Sequence, residues 1–149
     1  MITIALAADH GGFTLKNSLR TWLSAQGYRV IDLGAHTAKA DDDYPDYAVA
    51  AAKVIKEKKA DFALLFCRTG TGMYMAANRF PFVRAAMLYS AASAKKAREH
   101  EDANVAAIGT DTFPAAQNKR FIKTFLSTKF DADARHARRT AKLAKLPKM

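Results

Sequence analysis

A chain of 149 residues, half of them hydrophobic, has about the length of one domain and can bury a core, so residues 1–149 read as a single unit and disorder is not the default. No apolar run approaches the roughly 20 residues of a membrane span. The short apolar start has no basic leader of the kind a signal peptide carries, and one cysteine can make no internal disulfide, so the expectation is a cytoplasmic protein. The net charge of +10 is local: over 115–149 ten Lys/Arg stand against Asp131 and Asp133, which places +8 there. A solvated helical face is the commonest meaning of such a stretch. No aromatic residues interleave with the basic ones after Phe130, which argues against nucleic acid as the partner.

Along the chain, apolar and amphipathic runs alternate. Residues 2–7 read as a strand and 13–26 as a helix closed by Gly27, followed by a strand over 28–33 that ends at Gly34. A polar loop through Asp41, Asp42 and Asp43 leads into a helix over about 47–58. The three adjacent aspartates read as loop residues rather than as separated metal ligands. A third strand over 62–66, a short helix over 72–78 and a fourth strand over 83–88 come next. Helix 91–100, strand 104–108 and helix 114–126, with Pro114 near its start, continue the alternation. A basic helix over 134–145 closes the chain. Its cations outnumber the apolar positions needed to bury a full face, so 131–149 is expected to lie against a partner subunit. Short apolar strands separated by helices imply an α/β fold: three layers, doubly wound, with a five-stranded parallel sheet.

In such a sheet, ligands bind outside the carboxyl ends of the strands. Asp9-His10-Gly11-Gly12 follow the first strand; His36 and then Asp43-Tyr44 follow the second. Cys67 to Gly72 follow the third, Tyr89 and Ser90 the fourth, and Gly109-Thr110-Asp111 the fifth. The richest of these is Phe66-Cys67-Arg68-Thr69-Gly70-Thr71-Gly72-Met73, which closes an apolar strand, opens a helix and holds the one cysteine. Backbone N–H groups at a helix start attract anions and favour a thiolate over a thiol, so this loop can offer both a base and a cradle for developing negative charge. It is no dinucleotide fingerprint, because Met75 stands where the final glycine of G-x-G-x-x-G is needed. A lone cysteine is more often a small core hydrophobe. Partners elsewhere in the chain have to decide the matter.

Several further segments carry a resemblance. They are Ala8-Asp9-His10-Gly11-Gly12-Phe13 with Lys16, Asp43-Tyr44-Pro45, and Cys67-x-Thr69-Gly70-x-Gly72-Met73 followed by Ala76-Ala77-Asn78. Arg84-Ala85, Arg98-Glu99-His100-x-Asp102-Ala103-Asn104-Val105 and Arg135-His136-Ala137-Arg138-Arg139 complete the set. Taken together they resemble the ribose 5-phosphate isomerase B family and its galactose 6-phosphate isomerase relatives over nearly the whole chain. The resemblance implies sheet order 2-1-3-4-5 and a homodimer, or a dimer of dimers, whose active sites combine two subunits. It also implies conversion of an aldose phosphate, ribose 5-phosphate first, to a ketose phosphate through an enediolate, with no metal or organic cofactor. By the same resemblance Cys67 is the base, supported by Thr69, and the amides of Thr69 through Gly72 form the anion hole. His100 opens the sugar ring, Asp9, His10, Tyr44 and Asn78 hold the substrate, and Arg135 and Arg139 bind phosphate.

The chain departs from that family at five places. Arg68 stands where a glycine is usual, Thr71 where a hydrophobic residue or Asn is usual, and Glu101 where Asn follows the ring-opening histidine. Asp111 occupies the place of a phosphate-site arginine, and Asp133-Ala134 replace a Gly-Gly pair. Reactive residues kept among altered surroundings imply a changed substrate, so isomerisation of another four- to six-carbon sugar phosphate is the alternative to ribose 5-phosphate. A non-catalytic sugar-phosphate-binding relative is a further alternative. Arg68 is expected to recognise an anion from a new direction or to pair with Glu101 or Asp111 across the site.

Overall fold

The computed structural model describes residues 1–39 and 41–146. Five strands, β1 (Thr3–Ala8), β2 (Arg29–Asp32), β3 (Phe62–Cys67), β4 (Ala85–Met87) and β5 (Val105–Gly109), form one parallel sheet. The helices are α1 (Phe13–Ala25), α2 (Tyr44–Lys56), α3 (Thr71–Ala77), α4 (Ala91–Glu99), α5 (Ala115–Ser127) and α6 (Ala134–Leu143). The doubly wound α/β class is the expected one. The strand order is β2-β1-β3-β5-β4, so the last two strands exchange places relative to the expected 2-1-3-4-5. Burial explains the exchange. All five residues of β5 are buried, which suits an interior strand, whereas the three of β4 are half-buried and suit an edge.

Side chains of successive strand residues point to opposite faces, so each strand contributes to two layers. On one face Ile4 and Leu6 of β1, Leu64 and Phe66 of β3, and Ala106 and Ile108 of β5 meet Leu15, Leu19 and Leu23 of α1 and Phe121, Ile122 and Phe125 of α5. The other face is built of small residues. Ala5, Ala7, Ala63 and Ala107 meet Ala48, Ala51 and Ala52 of α2 and Ala77 of α3, with Leu65, Met73 and Cys67 among them. Cys67 thus ends the central strand and points to the alanine-lined face.

Element boundaries shift where local chemistry was harder to read. Helix α2 starts at Tyr44, ahead of Pro45, because a proline in the first turn lacks only an N–H that would have had no helical partner. Strand β4 is shorter than expected because side chains take its flanking amides: Arg84 and Ala85 donate their N–H groups to the side-chain oxygens of Asn104 and Asn78. At the amino ends of the strands, Asp102 binds both Arg84 Nη2 at 2.8 Å and Arg98 Nη1 at 2.7 Å. Arg98 lies over the Phe62 ring at 4.8 Å. The fully buried Lys16 of α1 reaches Asp32, the last residue of β2, at 2.5 Å. Burial works to raise the Asp32 carboxyl, but the hydrogen bonds from Lys16 and the Gly34 N–H hold it below its ordinary value.

Candidate active site

The reactive candidate is held by its own loop. Cys67 is buried and pairs in register with Gly109 of β5, and the Gly70 N–H donates to its Sγ at 3.1 Å. That return needs a left-handed turn, and Gly70 supplies it at φ +79; a side chain there would also press on the Gly109 N at 3.0 Å. The Thr71 N–H donates to Thr69 Oγ1 at 3.3 Å. Two of the four amides expected to bind an anion are therefore directed at Cys67 and Thr69. Helix α3 has only seven residues, so these individual N–H groups, rather than a long helix dipole, set the local field.

Two further loops converge on this one. β1 runs beside β3, and the Asp9 N–H donates to the Phe66 carbonyl at 3.3 Å. Asp9 Oδ1 accepts the Gly12 N–H at 3.1 Å, which closes the turn into α1. Gly12 lies so close to β3 that a Cβ would meet the Phe66 carbonyl oxygen at 2.4 Å. His10 is held by a residue read from sequence as plain loop: Asp42 Oδ1 lies 2.6 Å from His10 Nδ1 and accepts the His10 N–H at 3.1 Å. The Tyr47 hydroxyl donates to Asp42 Oδ2 at 3.0 Å. Burial works against the ionised Asp42, yet the His10 and Tyr47 hydrogen bonds hold its carboxyl below the ordinary value. Burial and the bond to Asp42 push the Tyr47 hydroxyl up. The Tyr44 ring covers Gly72, where a Cβ would come within 2.7 Å of it. Asp9, His10, Tyr44 and residues 67–72 therefore form one cluster.

His100 and Asn78 lie together elsewhere. They line a groove of about 850 Å³ with Tyr74, Met87, Tyr89 and Glu101. The residues lining it do not include Cys67, Thr69, Asp9 or His10. Met87 joins the two regions, since its Cε lies 3.1 Å from where a Gly70 side chain would begin. Asn78 closes the C-terminal end of α3, exchanging hydrogen bonds with the Ala85 N–H at 2.9 Å and the Ala85 carbonyl at 3.0 Å. His100 is 39% exposed and stacks on His136 of α6 with ring centres 4.5 Å apart. The buried His136 was quoted within a motif but given no role in the sequence, and its partner lies 36 residues away. Arg135 and Arg139 are exposed on α6, and Arg135 Nη2 approaches Asp133 at 3.9 Å.

The departures also find their places. Arg68 pairs with Asp111 rather than with Glu101, Nη1 to Oδ2 at 3.5 Å. Asp133 caps α6 by accepting the His136 N–H at 2.7 Å, which holds its carboxyl below the usual range. Asp131, Asp133 and His136 bring ligand atoms within 4.8 Å of one another, but the helix cap already uses Asp133 Oδ1, and His136 Nδ1 lies 3.2 Å from the Asp131 backbone carbonyl. Residues 147–149 of the basic tail lie outside the described residues. No helix among the described residues is long and apolar enough to cross a membrane.

Residues 4–143 match the family model described as Ribose/Galactose Isomerase. The chain is 38% identical over 146 residues to a probable ribose-5-phosphate isomerase B of Mycoplasma genitalium, covering 97% of this chain and 95% of that one. Its fold matches a ribose 5-phosphate isomerase of Thermotoga maritima with a TM-score of 0.93 and 38% identity, over 97% and 99% of the two chains. It also matches the Mycoplasma genitalium ribose-5-phosphate isomerase B with bound ribulose-5-phosphate, with a TM-score of 0.90 and 37% identity, over 97% and 95%.

Proposed function

The chain belongs to the ribose/galactose isomerase family, and from that premise we propose that it interconverts ribose 5-phosphate and ribulose 5-phosphate with Cys67 as the base. The observation that carries this reading is Cys67 at the end of the central strand, its sulfur facing the Gly70 N–H at 3.1 Å in a loop where Thr69 and Asp9 also gather. A base there removes the proton from carbon 2 of the open-chain aldose and returns it to carbon 1, while the hydroxyl proton of oxygen 2 passes to oxygen 1. The enediolate oxygen formed between the two transfers is stabilised by amide N–H groups of 69–72 as its charge develops. Thr69 supports Cys67, and Asp9, His10, Tyr44 and Asn78 hold the sugar hydroxyls. His100 transfers the proton that opens the ring at its oxygen, and Arg135 and Arg139 bind the phosphate.

We further infer a homodimer with shared sites. Two features support it: the His100 groove lacks the Cys67 cluster, and Tyr74, Met75 and Tyr89 expose apolar surface at or beside that groove. In this arrangement the basic tail, 131–149, brings its arginines to the partner's Cys67 loop. An isomerisation assay over a panel of four- to six-carbon sugar phosphates tests the reading. Turnover of ribose 5-phosphate above all others is the expected result, and turnover of none overturns it. A different preferred sugar phosphate would move the assignment to the same chemistry on that substrate, which the altered residues around Cys67 make the specific alternative.

A further inference from the structure

Arg68 is fixed at its backbone and loosely held at its tip. Its carbonyl accepts the Asp111 N–H at 3.0 Å, and the Cys67 carbonyl accepts the Thr110 N–H at 3.0 Å, so the loops after β3 and β5 are zipped together. Thr110 Oγ1 adds a bond to the Gly11 carbonyl at 3.0 Å, tying in the loop after β1. The stem of Arg68 lies on that first loop. A Cβ on Gly11 would come within 2.7 Å of Arg68 Cγ and 3.3 Å of Asp9 Oδ1. The side chain is thus laid across the mouth of the Cys67 cluster, beside a residue of the cluster itself.

Beyond that stem the guanidinium makes a single ion-pair contact among the described residues, 3.5 Å to Asp111 Oδ2, and both side chains are more than half exposed. Charge-assisted hydrogen bonds are normally shorter, and exposed single-contact pairs contribute little. Asp111 Oδ1 also lies 3.3 Å from Thr110 Oγ1, whose one proton has the Gly11 carbonyl as its nearer acceptor at 3.0 Å. A guanidinium has five N–H donors in a fork that matches a phosphate with two parallel bonds, so most of its capacity is unused by this carboxylate. A dianion arriving at the site offers the stronger partner.

We propose that Arg68 is a specificity-determining anion ligand of this site, exchanging Asp111 for the phosphate of the substrate, and that Asp111 is its built-in competitor. The ligand class is a phosphate monoester on a short sugar chain. The cation rides on the residue next to the base, so the distance from phosphate to reacting carbon is set by the loop itself, and chain length is what it selects. This proposal rests on the isomerase reading, but its test separates the two.

The affinity for inorganic phosphate is measured by calorimetry, and KM and kcat over the sugar-phosphate panel, for Arg68→Gln, Asp111→Asn and the double variant. Loss of one charge-assisted pair gives Arg68→Gln about tenfold weaker phosphate binding and a similar rise in KM for the preferred substrate, with kcat little changed. Asp111→Asn moves both constants the other way by a few-fold, and the double variant matches Arg68→Gln alone. Unmoved phosphate affinity and KM in Arg68→Gln would overturn the proposal. An Asp111→Asn effect that persists undiminished without Arg68 would also overturn it. A phosphate affinity that follows Arg68 in a protein turning over no sugar phosphate would sink the isomerase reading and keep only the anion exchange between Arg68 and Asp111.

Discussion

Cys67, Asp9 and His10 already have hydrogen-bond partners inside the chain, whereas His100 and the arginines of α6 face outward. The Cys67 sulfur receives the Gly70 N–H, Asp9 receives the Gly12 N–H, and His10 is clasped by Asp42, itself held by Tyr47. His100 has a ring stacked on one face and a 3.9 Å approach to Glu99, while Arg135 and Arg139 project from an exposed helix. Hydrogen bonds fix position and direction, whereas stacking fixes only the plane of a ring. The difference separates a proposed base that is set before substrate arrives from groups proposed to complete their geometry against substrate and a second subunit.

The sharpest way to break this comparison is to remove the proposed base while keeping the built half intact. Cys67→Ser is expected to retain sugar-phosphate affinity and to lose about 100-fold or more of kcat, since a hydroxyl is a poor base near neutral pH. A serine enzyme with near wild-type kcat would take Cys67 out of the reaction. Replacement of His100 tests the open half. His100→Ala is expected to cost about 100-fold on ribose 5-phosphate and far less on a four-carbon aldose phosphate, which cannot close the usual ring. Equal fractional losses on two working substrates would refute a ring-opening role.

Smaller changes sharpen the contrast. Asp42→Asn frees His10 and is expected to raise KM several-fold, by the loss of one charge-assisted bond. It also alters the acid limb of stability. The folded carboxyl of Asp42 lies below its unfolded value, so its contribution is present above the ordinary carboxylate range and is lost as pH falls through the folded value. Unfolding measured below about pH 4 should therefore depend less steeply on pH in the variant. An unchanged slope would show that Asp42 does not supply it. The least effect is expected from Ser90, which caps α4 at the end opposite His100 by accepting the Ser93 N–H at 2.9 Å. Ser90→Ala should cost about 1 kcal/mol of stability and leave kcat within about twofold. A large kinetic loss would mean that His100 is positioned by its helix more than by its stack.

The strands and the Cys67 loop were legible because hydrophobic period and loop punctuation are local in sequence. Asp42 was not, since nothing local distinguishes it from Asp41 and Asp43, and its partner His10 lies 32 residues away. His136 escaped for the same reason, as stacking on His100 depends on where α6 settles. The edge order of the sheet came with the family resemblance, and no local pattern could correct it, since Ala85 to Met87 are as apolar as an interior strand. What demotes them is that Asn78 and Asn104 capture neighbouring amides, a tertiary event. Arg68 was singled out as a departure, but its choice of Asp111 over Glu101 required the pairing of two loop backbones.

The alanine-lined face behind Cys67 has a consequence for how this site can change. Ala48, Ala51, Ala52, Ala63, Ala77 and Ala107 each have only a methyl group to give up, so, apart from glycine, substitutions at these positions can only add volume. Added methylenes in a closed layer displace elements at a cost of about 1–3 kcal/mol, and the element in contact here is the seven-residue helix that begins directly after the reactive loop. These buried residues thereby act as shims under the Cys67 loop. The bore of the site can be retuned from beneath, with every reacting group left in place.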